Sequence, residues 1–207
     1  MLAKLSVFVL AAWLVTMLPG AGQALMLRQT LEGGRRMAWA TIAGTCTGLL
    51  IWTTATAAGL SAILLANTAA YTVIRIAGGI VLIVLGANTL LSLRRPIATI
   101  STNQFEYRTN YWSGYAAGLV TNLGNLKSGV FAISLLPQFV NANGHVFLSS
   151  AALGGLWALV TACWYALFTW AVDHGRALVS KPAIHRVLQA VTGSILLLLG
   201  AAAAAGI

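Results

Sequence analysis

Lys127 is the residue best placed to do chemistry. It stands in the stretch Thr121-Asn122-Leu123-Gly124-Asn125-Leu126-Lys127-Ser128, a polar and flexible cluster inside an apolar run over about 112–139. The lysine falls 15 residues after Trp112, so a helix rising ~1.5 Å per residue carries it ~22 Å into a bilayer. An ammonium at that depth is expensive and marks a substrate or ion pathway by default. The bland alternative is snorkelling, in which the long side chain reaches the far interface. Asn122, Gly124, Asn125 and Ser128 argue against it, because a merely tolerated lysine does not need polar neighbours.

A second conspicuous cluster, Leu18-Pro19-Gly20-Ala21-Gly22-Gln23, interrupts an apolar run over about 5–27. Proline and glycine remove or weaken backbone hydrogen bonds in a medium that offers no replacement. Such breaks survive where they line a cavity, and paired breaks in corresponding spans point to a transporter's substrate site. A helix restarting after a break aims free N–H groups and partial positive charge at the gap. Two restarts and Lys127 would together hold an anionic group such as a carboxylate, with Gln23, Asn122 and Asn125 donating further hydrogen bonds. The candidate substrate-binding residues are therefore Pro19, Gly20, Gly22, Gln23, Asn122, Asn125 and Lys127. No enzyme motif, nucleotide-binding loop, metal site or cofactor is expected, since His145, His174 and His185 lie near loops.

The elements that must carry these residues are membrane helices. The 207-residue chain is 59% hydrophobic and only 7% charged, which excludes a sizeable soluble domain. Six apolar segments run roughly over 5–27, 38–66, 71–93, 112–139, 146–172 and 187–206. The formal charge of +9 does not point to nucleic acid, because nine of the 12 Lys and Arg residues follow segments one, three and five. The positive-inside rule makes those loops cytoplasmic and puts both termini outside. The start of the chain, Lys4 with an apolar stretch and then Ala21-Gly22-Gln23-Ala24, also has the form of a cleavable signal peptide.

Segments three and six share a short pattern. Gly79-Ile80-Val81-Leu82-Ile83-Val84-Leu85-Gly86-Ala87 and Gly193-Ser194-Ile195-Leu196-Leu197-Leu198-Leu199-Gly200-Ala201 agree at five of nine positions, both glycines included. With the matching breaks, this predicts an all-α polytopic membrane protein of six helices. The helices form two inverted three-helix repeats, with helices 1 and 4 interrupted. One transporter domain over 1–207 would comprise repeat one (about 1–95), a cytoplasmic linker (about 96–111) and repeat two (about 112–207).

These residues match a pattern. Pro19-Gly20, Gly33-Gly34-Arg35-Arg36, the spaced glycines 44, 48 and 59, Gly118-Leu119-Val120-Thr121-Asn122, Asn125-Leu126-Lys127 and Leu135-Leu136-Pro137-Gln138-Phe139-Val140 run nearly end to end. In this the chain resembles the LysE-type superfamily of lysine, threonine and homoserine exporters, six-helix proteins of the bacterial inner membrane. The resemblance implies export of amino acids or close derivatives, driven by the proton gradient. The chain departs from that family's pattern at Ala21 and Gly22, where a second proline and an Asn or Asp are usual, and at Leu126, where proline is usual. Leu49 and Thr161 stand where the family tends to carry acids in its second and fifth spans. All three acids here, Glu32, Glu106 and Asp173, fall in or beside cytoplasmic loops. Lys127 is then left as the candidate to exchange a proton. A substrate ammonium would have to meet Trp52, Trp164, Tyr165 or free carbonyls at the breaks.

The partners expected are an amino-acid-like small molecule and the lipid bilayer. The small-residue faces at Gly154-Gly155 and 201–205 suit close packing within one chain or in a homo-oligomer. The threonines of segment two, among them Thr41, Thr45, Thr47, Thr53 and Thr56, are expected to bond their own backbone or a neighbouring helix. A competing function is an intramembrane thiol–disulfide carrier using Cys46 and Cys163, which fall in corresponding segments two and five. Neither has a Cys-x-x-Cys partner or an activating base.

Overall fold

A computed structural model describes residues 2–18, 20–66, 68–93, 110–140, 145–174 and 182–204. Among the described residues, seven helices run in the order α1 (Leu2–Met17), α2 (Ala21–Ala66), α3 (Thr68–Ser92), α4 (Tyr111–Leu123), α5 (Leu126–Phe139), α6 (Val146–His174) and α7 (Pro182–Ala204). The described residues contain no strand. Three helices are long and apolar enough to cross a membrane: Ala21–Ile63, Thr72–Leu91 and Val146–Val172. The bent pair Tyr111–Leu123 and Lys127–Phe139, whose axes differ by 60°, is apolar enough when taken together and has the form of a broken span or a re-entrant loop. The first and last apolar segments give shorter helical stretches, Leu5–Met17 and Gln189–Ala202. Most of the expected linker lies outside the described residues, and its last position, Tyr111, already belongs to α4.

Both expected breaks are real but shorter than the polar clusters that announce them. The first leaves Leu18 and Gly20 outside helix and α2 starts at Ala21; Pro19 lies outside the described residues. The second leaves only Gly124 and Asn125 unwound. There α4 ends with the Gly124 N–H on the Val120 carbonyl at 2.9 Å, and the Asn125 side chain restarts the chain by accepting from the Lys127 N–H at 3.2 Å. Asparagine is a strong N-cap because its side-chain oxygen replaces the missing carbonyl of a preceding turn.

The expected loop between segments one and two is corrected. Residues 28–37 are helical, and α2 is interrupted only at Gly34, with φ 70° and ψ −176°. That backbone conformation is open essentially to glycine alone. It divides α2 into an arm before Gly34 and a span after it. Met26 of the arm and Ala38 and Ile42 of the span are buried in one cluster with Tyr165, Phe168 and Val172 of α6. Arg28 and Glu32 pair at 2.8 Å one helical turn apart, so the charges that read as a loop sit on a helix surface.

Helix contacts are made close by glycine. A Cβ on Gly44 would overlap the Tyr115 backbone, and one on Gly118 would overlap the Thr41 backbone. Thr41 Oγ1 completes this α2–α4 seam, its one proton shared between the Gly114 carbonyl at 3.1 Å and the Met37 carbonyl at 3.0 Å. Between α3 and α7, a Cβ on Gly86 would come 2.7 Å from the Gly193 carbonyl, and one on Gly200 would come 2.5 Å from the Gly79 carbonyl. In lipid there is little hydrophobic force between helices, so such backbone-to-backbone packing supplies the adhesion. The main core gathers Phe8, Leu49, Leu82, Phe131, Leu135, Trp157 and Leu196, drawn from six helices, around α5. Large apolar side chains such as Leu10, Leu50, Val84, Val120, Leu159 and Leu198 point outward, the distribution a lipid solvent demands.

Candidate substrate site

The two breaks meet at one cavity. Gly20, Gly22 and Gln23 line it from the first, and Asn122, Asn125 and Lys127 line it from the second. Every described member of the sequence-derived set is therefore in one place, while Pro19 lies outside the described residues. The space open to the centre of a water-sized sphere is about 40 Å³, enough for about three waters. An amino acid needs more room than that.

Lys127 sits in the first turn of α5 and reaches across the cavity to α1, where its Nζ donates to the Val15 carbonyl at 3.4 Å. A Cβ on Gly20 would lie 3.7 Å from that Nζ, an ordinary contact distance, so the first break runs directly beside the amine. Among the described residues, no carboxylate lines the cavity. Glu32 is engaged with Arg28 at the surface, and Glu106 lies outside the described residues.

The amides serve differently from the sequence expectation. Gln23 Nε2 donates to the Met17 carbonyl at 2.7 Å, tying the new helix to the end of the old one. Asn125 uses its side-chain oxygen as the α5 cap. Asn122 Nδ2 donates to Ser128 Oγ at 3.4 Å, and its buried Oδ1 has no hydrogen-bond partner. Of the three amides expected to donate to an anion, Gln23 spends a donor on a helix end, whereas Asn125 caps through its acceptor oxygen and not through its Nδ2 donor. Helix ends in hydrocarbon must find partners somewhere, and side chains from across the break are nearest. Trp52 does the same at the second break, its Nε1 donating to the Asn122 carbonyl at 3.3 Å.

The rest of the wall comes from α1, α2 and α6. Thr16, Thr45, Leu49, Trp157, Thr161 and Tyr165 complete it. Leu49 and Thr161, the two positions where the resemblance leads one to expect acids, both face the site. Thr16 and Trp157 escaped the sequence reading; a lone threonine just before a break is a faint signal, and a tryptophan in an apolar run is none. Tyr165 stands against Gly22 so closely that a Cβ there would overlap the phenol oxygen. The other two expected aromatics are elsewhere: Trp52 packs over Gly129, and Trp164 lies against Trp13 with ring centres 6.4 Å apart.

The threonines of α2 behave as expected, Thr41, Thr47, Thr53 and Thr56 each donating to the carbonyl four residues earlier. Cys46 and Cys163 are free thiols that are not near each other, and Cys46 Sγ donates to the Ala158 carbonyl at 3.4 Å. The geometry of a cysteine pair is therefore missing. Among the described residues no cluster of His, Cys, Asp and Glu could hold a metal ion.

Comparison with known proteins places these features in context. The model of the LysE type translocator family matches residues 13–206. A protein of Bacillus subtilis (strain 168) named uncharacterized membrane protein YrhP is 25% identical over 198 residues, covering 93% of this chain and 94% of its own. The homoserine/homoserine lactone efflux protein of Salmonella typhi is 25% identical over 194 residues, covering 94% and 92%. The threonine efflux protein of the same organism is 28% identical over 154 residues, covering 74% and 72%. No solved structure matches the chain.

Proposed function

We propose that this chain, which belongs to the LysE type translocator family, is a secondary exporter of small amino acids or close derivatives. It is a multi-pass bacterial membrane protein. In this reading it lies in the inner membrane with both termini outside, and an ion gradient drives the substrate outward. The substrate binds where the two helix breaks meet. Relatives named for homoserine, homoserine lactone and threonine efflux support the substrate class.

The observation that carries the proposal is the Lys127 ammonium in a cavity shared by both breaks. A buried cation without a carboxylate partner is destabilising unless a ligand supplies the anion. A substrate carboxylate does so, and the N-terminal ends of α2 and α5 add partial positive charge on either side. The cavity also holds hydroxyls of Thr16, Thr161 and Tyr165 and the indole of Trp157, which suits a short side chain with a polar tip.

The glycine seam supports an inverted repeat. Under the sequence alignment Gly79 corresponds to Gly193 and Gly86 to Gly200. In space Gly86 meets Gly193, and Gly200 meets Gly79. Such crossed pairing, residue to partner and partner's equivalent to residue's equivalent, is what a two-fold axis generates. The pattern fits two halves inserted in opposite orientation, with alternating access between them.

The test is export itself. Cells expressing the chain, Lys127→Ala or an empty vector are compared for amino acids in the medium, at equal membrane expression. Accumulation of one or a few amino acids only with the native chain is the expected result. Equal accumulation with native chain and empty vector would overturn the proposal.

A further inference from the structure

We infer that the carboxyl end of α1 is the seat for the substrate's ammonium group, and that binding there displaces Lys127 from Val15. This rests on the exporter reading above and adds how a site without acids holds a zwitterion.

The last four carbonyls of a helix have no partner inside it and carry about half a negative charge between them. In α1 these belong to residues 14–17. Three of them take donors from three other helices. Leu14 accepts from Thr192 Oγ1 of α7 at 3.4 Å, Val15 from Lys127 Nζ of α5 at 3.4 Å beside the Leu18 N–H at 3.3 Å, and Met17 from Gln23 Nε2 of α2 at 2.7 Å. The short, neutral Gln23 contact is a fixed staple. The Lys127 contact is long for a hydrogen bond, and among the described residues Val15 is the one acceptor given to an ammonium that carries three donors. Val15 and Lys127 both line the cavity.

The cation on the Val15 carbonyl is therefore the protein's own. An amino acid brings both members of a better pairing. Its carboxylate takes Lys127 in a charge-assisted bond, and its ammonium takes the Val15 carbonyl that the lysine leaves. The Asn122 oxygen, buried in the same wall without a donor, offers a second acceptor. Carbonyl, ammonium, carboxylate and lysine in sequence span ~8 Å from Val15 O to Nζ at ordinary hydrogen-bond lengths. The present 3.4 Å must open by several ångströms, which the flexible four-carbon stem of lysine allows. A 2-hydroxy acid would leave the carbonyl with the neutral Leu18 N–H and no cation, and an amino-acid amide would leave the lysine without an anion. Both charges are required, although no acidic side chain is present to read one of them.

The experiment uses purified full-length protein in liposomes and counterflow of labelled amino acids, the probe being the twenty common ones with L-homoserine. The component that exchanges is competed with its unlabelled self, its 2-hydroxy acid and its amide, in the native chain and in Lys127→Met. For the native chain both analogues are expected to compete roughly ten-fold more weakly or worse, a discrimination typical of an unpaired buried polar group. In Lys127→Met the amide should gain on the amino acid, because the α1 carbonyl no longer holds a cation and the carboxylate has lost its partner. A 2-hydroxy acid competing as well as the amino acid would overturn the ammonium seat and leave the exporter reading standing. An amide that gains nothing in Lys127→Met would overturn the displacement. Counterflow by no component would overturn both readings together. The native panel decides the seat even where Lys127→Met fails to reach the membrane.

Discussion

The hydroxyls of Thr16 on α1 and Thr161 on α6 lie 3.2 Å apart and join two helices that meet at the cavity. Thr16 also bonds its own helix through the Ala12 carbonyl at 2.7 Å, so its proton is engaged there and Thr161 supplies the proton between the two. Thr161→Val keeps the shape and removes that bond. Interhelical hydrogen bonds in membranes average about 0.6 kcal/mol, so the thermal midpoint in detergent should fall by about 1–3 °C. A rise would mean that the Thr161 hydroxyl costs more to bury than its bond returns.

Lys127→Ala should reduce export about ten-fold or more at equal membrane expression, a loss of at least ~1.4 kcal/mol of substrate stabilisation. Lys127→Arg keeps the charge but presents a planar fork in place of a compact ammonium, and should recover only part of the rate. The amino acid released into the medium over time is the readout. Full activity of Lys127→Ala would reduce the lysine to a snorkelling residue.

Gly22 and Tyr165 should couple. Gly22→Ala places a methyl group on the phenol oxygen, and export or thermal stability should drop. Tyr165→Phe removes that oxygen, so the double variant should recover most of what Gly22→Ala loses. A coupling energy of about 1 kcal/mol or more is expected from a contact this close. Simple additivity of the two changes would show that the approach is relieved elsewhere.

Gly118→Val should be among the most damaging single changes outside the cavity. Its side chain would enter the space of the Thr41 backbone, which cannot rotate away, and overpacking of this kind costs about 1–3 kcal/mol or more. Gly155→Ala is the control, since a Cβ there meets nothing within 4 Å. Yield of monodisperse protein after heating separates the two.

Cys46→Ser with Cys163→Ser should leave export within about two-fold of the native rate, because the thiols form no pair and act as small packing groups. Loss of transport in the double variant with normal expression would reopen thiol chemistry.

Much of the site was legible because polar and helix-breaking residues are conspicuous in apolar runs. Gly20, Gly22, Gln23, Asn122, Asn125 and Lys127 announced themselves by type, and the structure gathers them around one cavity. Their individual duties were not legible. That Gln23 and Asn125 would serve helix ends follows from where the breaks begin and stop, and the polar clusters overstate the length of both. Val15 could not be found from sequence at all, since it contributes a carbonyl that every residue possesses. The helix through 28–37 was hidden by its charges: Arg28, Arg35 and Arg36 read as a loop, although Arg28 and Glu32 at a spacing of four suit a helix surface equally well.

The paired touches of α3 and α7 have a mechanical consequence. Gly86 against Gly193 and Gly79 against Gly200 are separated by about two helical turns, ~10 Å along the axes. A plank fastened at one point can swivel; fastened at two, it cannot. These helices form a stiff beam, and whatever swings when the cavity opens must be found among the pieces around it. The nearest joints are the unwound links at Gly20 and at Gly124-Asn125, where the chain has already given up the backbone bonds that would resist bending.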